Sequence, residues 1–232
     1  MRHLVFLCLP LAFACSAGDG DTGPAPEGPH AIAFDGGPSC AVAEAAVDEP
    51  PAAFTFEAWV KADPGVDYTG HPFVVWEGVA ALWQTEDGFV VMTDTSGEVA
   101  GASYPADVMD QGLHHVAGTW DGSVMSVYVD GVRGGFSSAG VPGTPTDGTV
   151  HLGCWPAQGW NHQGTLDEIR LSSSVRYTDD YVVPTVAFTE DAATLHLWHV
   201  DEGEGTTSAD AATGGSLALT DIGWVSTSPF DE

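Results

Sequence analysis

Residues 113–132, Leu113-His114-His115-Val116-Ala117-Gly118-Thr119-Trp120-Asp121-Gly122-Ser123-Val124-Met125-Ser126-Val127-Tyr128-Val129-Asp130-Gly131-Val132, decide the fold. Leu113–Thr119 is apolar and rich in β-branched residues. Trp120-Asp121-Gly122-Ser123 carries turn chemistry. Val124, Ser126 and Tyr128 then alternate with Met125, Val127 and Val129. Period-two alternation on either side of an Asp-Gly pair marks a β-hairpin. Asp130-Gly131 closes a second one, because Gly adopts the positive φ such turns require.

The same grammar extends along the chain. Strands are expected over His30–Phe34, Ser39–Glu44, Phe54–Lys61, Pro72–Glu77, Val79–Gln84, Gly88–Thr93, Val99–Tyr104 and Leu113–Thr119. They continue at Val124–Val129, Arg133–Ser137, Thr149–Cys154, Gly164–Ser172 and Thr194–Val200. In Phe54–Lys61, Phe54, Phe56, Ala58 and Val60 oppose Thr55, Glu57, Trp59 and Lys61, the pattern of a half-buried strand. Helical periodicity is confined to one expected turn at Val175–Tyr181. These features predict an all-β protein, a two-sheet antiparallel sandwich of roughly a dozen strands.

The chain has 232 residues, with 29 Gly and 15 Pro, which suits many strands joined by tight turns in one large domain. Its 33 acidic residues face 5 basic ones, a formal charge of −28. Such a field repels nucleic acid and anionic lipid headgroups, both of which bind through Lys and Arg. Residues 1–14 read as a signal segment: Met1-Arg2-His3 begins it and Leu4–Phe13 is apolar but too short to span a membrane. Leu11-Ala12-Phe13-Ala14-Cys15 resembles a bacterial lipobox, which implies a lipidated Cys15 and an envelope lipoprotein. Ala12-Phe13-Ala14 also fits ordinary signal cleavage, which leaves secretion as the alternative. Residues 15–29 form a Gly, Pro and acid-rich tether, and residues 30–232 the domain. In an exported protein, Cys40 and Cys154 are expected to pair.

Four patches resemble the LamG-like jelly-roll domains of the concanavalin A-like superfamily. They are Ala31–Gly36 (AIAFDG), Phe54–Lys61 (FTFEAWVK), the opening stretch, and Gly164–Leu171 (GTLDEIRL), with Thr194–Gly205 (TLHLWHVDEGEG) similar to the closing segment of such domains. The resemblance implies a jelly-roll sandwich and a binding module for polysaccharide or cell-surface glycoconjugate. It also implies a structural Ca²⁺, with Asp35 and Asp167 at the matching motif positions; carboxylates and turn carbonyls suit that ion. Either aspartate could equally hydrogen-bond local amides, and Asp167-Glu168 could pair with Arg170.

The residues themselves suggest a ligand site. Trp155 and Trp160, in what reads as a loop over Trp155–His162, offer indoles on which sugar faces stack, with Asn161 to bond hydroxyls. The same tryptophans could instead cover the core or pack on the Cys154 disulfide. His114 and His115 are adjacent in a strand and face opposite ways, so one is expected to be a buried structural histidine. No GxSxG elbow is present, and Asp201-Glu202-Gly203-Glu204 does not form the close carboxylate array of a glycosidase. A non-catalytic glycan-binding module is therefore the leading expectation. A protein-interaction domain of an envelope lipoprotein is the alternative, and a glycan-cleaving hydrolase the minor one.

Overall fold

The computed structural model describes residues 29–45, 47–63, 70–85, 88–94, 101–104, 108, 112–138, 141–145, 148–227 and 229–230. Cys15 and the tether up to residue 28 lie outside them. Among the described residues eighteen strands follow one another: β1 (Ala31–Asp35), β2 (Cys40–Glu44), β3 (Phe54–Ala62), β4 (Gly70–Trp76), β5 (Ala80–Thr85), β6 (Val90–Thr93), β7 (Gly101–Tyr104), β8 (His114–Trp120) and β9 (Met125–Val129). Then come β10 (Val132–Ser137), β11 (Thr149–Leu152), β12 (Cys154–Trp155), β13 (Trp160–Asn161), β14 (Gln163–Ser172), β15 (Thr194–Trp198), β16 (Thr207–Ala209), β17 (Ser216–Thr220) and β18 (Gly223–Val225).

Two antiparallel eight-stranded sheets make a jelly-roll sandwich. The first runs β10-β9-β8-β3-β14-β1-β18, with β15 also paired to β14; the second runs β16-β17-β2-β11-β4-β5-β6-β7. The hairpin signals place the first sheet's edge as read: Val129 pairs with Val132, leaving Asp130 (φ 50°) and Gly131 (φ 78°) as the two-residue loop. The Asp121 carboxylate caps the loop before β9, accepting the Ser123 and Val124 N–H groups at 2.8 Å each.

Alternation delivers one side of each strand to a single core. Phe54, Phe56, Ala58 and Val60 of β3 meet Val74, Trp76 and Leu82 of the opposite sheet, together with Val116, Val127, Leu166 and Trp198. At ~25 cal/mol per Å² of apolar surface, burying each large side chain stabilises the fold by about 1.5–3 kcal/mol.

The opposite faces depart from the expected pattern, because chain segments cover them too. Thr55 and Glu57, on the outer side of β3, are fully buried. The crossover 173–193 lies over them, with the Thr55 hydroxyl donating to Ser174 O and Tyr177 donating to Glu57. This crossover includes the segment expected as a helical turn. It contains no helix; the Arg176 N–H bonds Thr55 Oγ1 and the Tyr181 N–H bonds Gly131 O, so its amides go to the sheet instead. On the second sheet, the β12–β13 hairpin covers Val75, Ala81, Trp83 and Val91.

Candidate functional site

The Trp155–Asn161 segment is the β12–β13 hairpin, with Trp155 paired to Trp160 and Cys154 to Asn161. Trp155 is 2% exposed and packs edge-on against Trp83 and Trp160, at 6.1 and 5.5 Å. It anchors the hairpin to the sheet, and a ring this buried has no face to offer a sugar. The structure thereby corrects Trp155 as half of a stacking pair. Trp160 is half-buried, tilted 4.8 Å from Trp83, and Asn161 beside it is half-buried as well.

Asp35 and Asp167 do not converge. Asp35 lies opposite Gln163 on β14, whereas Asp167 is four residues further along that strand, opposite Trp59. At 3.4 Å per residue the two backbones stand on the order of 14 Å apart. Aspartate side chains are too short to close that gap around an ion whose bonds are about 2.3–2.6 Å. Asp35 instead accepts the Gly37 N–H at 2.8 Å, and Asp167 accepts the Glu168 N–H at 2.7 Å. These two residues do not fit a shared Ca²⁺. The neighbouring Glu168 holds the crossover and the end of β15: one oxygen accepts the Phe188 N–H and the other bonds His199, both at 2.8 Å. Arg170 pairs with Glu57.

Cys40 and Cys154 form a disulfide with Cα atoms 5.2 Å apart. It ties the start of β2 to the hairpin strand β12, across 114 residues of sequence. Of the histidine pair, His115 is the buried member, with Nδ1 2.7 Å from the Tyr181 hydroxyl; His114 bonds the Asp130 carboxylate at 2.7 Å.

A cleft of about 530 Å³ opens where the two sheets meet at one edge. Ala43, Glu44 and Ala45 at the end of β2 form one wall, His196 of β15 another, and Asp210, Thr213, Gly215 and Ser216 a third. Its volume falls within the roughly 300–1,000 Å³ of small-molecule sites. The turn before β17 is organised by Asp210. One oxygen accepts the N–H groups of Leu197 (3.1 Å) and Ala212 (3.0 Å); the other meets His196 Nδ1 (2.6 Å) and the Thr213 hydroxyl (2.7 Å). Burial alone pushes this carboxyl up, but the bonds from His196, Thr213 and Leu197 outweigh it and hold the pKa at about 2. His196 in turn stacks on Trp198, ring centroids 4.7 Å apart.

Sequence reading singled out none of these residues for binding. The one local signal is Asp210-Ala211-Ala212-Thr213-Gly214-Gly215, an Asp-led, Gly-closed turn. A second cleft, about 330 Å³, is apolar and lined by Trp59, Val183, Pro184, Thr185, Pro229 and Phe230.

Comparison with known proteins agrees with this architecture. A Bacteroides ovatus structure described as a candidate carbohydrate-binding protein superposes with a TM-score of 0.65 at 17% identity, covering 86% of this chain and 60% of that one. This chain therefore spans about 60% of that relative's length. A heptameric pentraxin from Limulus polyphemus gives a TM-score of 0.52 at 14% identity, covering 83% of this chain and 95% of that one. No curated protein matches the chain in sequence. The laminin G family model described as "Concanavalin A-like lectin/glucanases superfamily" matches residues 34–182, more than half of the chain, and the chain belongs to that superfamily.

Proposed function

We propose that this chain is a non-catalytic carbohydrate-binding module whose ligand site is the cleft between Glu44, His196, Thr213 and Ser216. The carrying observation is the hydrogen-bonded frame around Asp210, which fixes a turn whose exposed Thr213 and Ser216, together with exposed Glu44, line one open cavity. Sugar hydroxyls both donate and accept, so a mixed polar lining held in place by its own bonds suits them. The Bacteroides ovatus neighbour supports the same class of ligand.

The lining also favours binding over cleavage. Glycoside hydrolysis needs two carboxyls, one of them still protonated near neutral pH. Asp210 is held at about 2 and spends its oxygens on the turn. Export, with Cys15 lipidated at the cell envelope or cleaved for secretion, belongs to the same proposal. The mass of the mature N-terminus distinguishes the two.

The test is a glycan and polysaccharide array. Binding is expected, lost in Ser216→Trp, which fills the cleft, and retained in Trp160→Ala. The reverse pattern moves the site to the β12–β13 hairpin. A blank array with the folded protein overturns the carbohydrate reading and turns attention to a protein partner, for which the apolar Trp59–Phe230 cleft is the matching surface.

A further inference from the structure

We propose that Cys40, His151 and Cys154 form a redox-gated metal site, closed as the disulfide and opened to bind Zn²⁺ when a dithiol reduces it. The two sulfurs and a ring nitrogen of His151 lie within 4.8 Å of one another. Thiolate and imidazole are the donors that Zn²⁺ prefers. In a tetrahedral site, bonds of about 2.3 Å to sulfur and 2.0–2.1 Å to nitrogen put the S and N ligands about 3.6 Å apart. Cys40 Sγ and His151 Nδ1 are already 3.7 Å apart. The same geometry places two sulfurs about 3.8 Å apart, so opening the S–S bond is the principal change needed.

The backbone is suited to keep the three donors in place. Cys40 begins β2, and His151 sits in β11, opposite Val42 on one side and Val75 on the other. Cys154 pairs with Asn161 in the hairpin and follows directly on Gly153, whose N–H bonds Phe73 O. Cys40 and His151 are half-buried, which leaves an approach for the ion, while Cys154 is buried.

The chemistry balances. A dithiol gives two electrons and two protons to the disulfide; the S–S bond breaks, two thiols form, and the reductant closes into its own disulfide. Zn²⁺ then displaces both thiol protons, gaining two Zn–S bonds and one Zn–N bond, with water in the fourth position.

Cobalt is the probe, because Co²⁺ takes the same ligands and reports them by colour. The full chain carrying Cys8→Ser and Cys15→Ser is reduced with a dithiol, freed of it without oxygen, and titrated with Co²⁺. The expected result is one equivalent bound, with a near-ultraviolet sulfur-to-cobalt band and the visible bands of a tetrahedral ion. The oxidised protein and Cys40→Ser should lack that spectrum, and His151→Ala should bind about tenfold or more weakly. If the reduced chain gives no such bands, or His151→Ala binds as tightly as the parent, the site does not exist. Should reduction unfold the chain, a melt in Zn²⁺ decides. Zn²⁺ must raise the melting temperature of the reduced parent but not that of Cys40→Ser, and an equal response in both overturns the proposal.

Discussion

The Glu57 carboxylate accepts a 2.8 Å hydrogen bond from Arg170 Nε beneath the 173–193 crossover, where Glu57 has no solvent exposure. Tyr177 donates to the other Glu57 oxygen at 2.6 Å, and His115 Nε2 stands 3.5 Å from it. Burial acts to raise this carboxyl's pKa; the His115 and Arg170 interactions outweigh it and lower the pKa. Removing one member of a buried ion pair strands the other. Glu57→Leu should therefore cost about 3–5 kcal/mol in urea unfolding. Glu57→Gln, which keeps an acceptor, should cost less.

Two histidines give stability opposite pH slopes. His162 is fully buried against His71, Nδ1 to Nδ1 3.1 Å; burial first, then the His71 ring, holds its pKa well below 6.5. The unfolded state thus binds the proton more readily, so stability falls as pH drops below 6.5. His199 has its pKa raised by the Glu168 bond. Its contribution is complete below 6.5 and is lost as pH rises through the folded value. Thermal melts across pH should show His162→Gln flattening the acid-side slope and His199→Gln the slope above 6.5. An unchanged profile in both variants refutes these assignments.

The disulfide encloses a long loop. With a sequence separation of 114, the chain-entropy relation gives about 5 kcal/mol of stabilisation. Guanidinium unfolding of Cys154→Ser should show a loss of that order. A loss below about 1 kcal/mol refutes the entropic account.

Gly153 precedes Cys154 at φ +70°, and a Cβ there would come within 2.1 Å of the Phe34 ring. Gly153→Ala should destabilise by about 1–3 kcal/mol, through backbone strain together with overpacking of the core. Denaturant midpoints against the parent check it.

Much of the fold was legible because its signals are local. The Asp130-Gly131 loop, the Phe54–Val60 alternation and the β8–β9 hairpin each depend on residues a few positions apart. Strands β16 and β18 have three residues each, too few to show a period, so they were not expected. The helical turn expected over Val175–Tyr181 is not formed; Tyr177 and Tyr181 stack at 3.6 Å on a crossover without helix. Their hydroxyls reach Glu57 and His115, and burial raises both phenol pKa values.

The sequence by itself determined the strands' inward faces, the tight turns and the two cysteines available to pair, because alternation and turn chemistry are written in near neighbours. Tertiary structure alone decided which outward faces are covered, why Trp155 is an anchor, and that Glu44, His196 and Ser216 share a cleft. Those outcomes rest on contacts such as Glu57 with Arg170, 113 positions apart. No local pattern encodes such a contact; only the sheet order brings its two ends together.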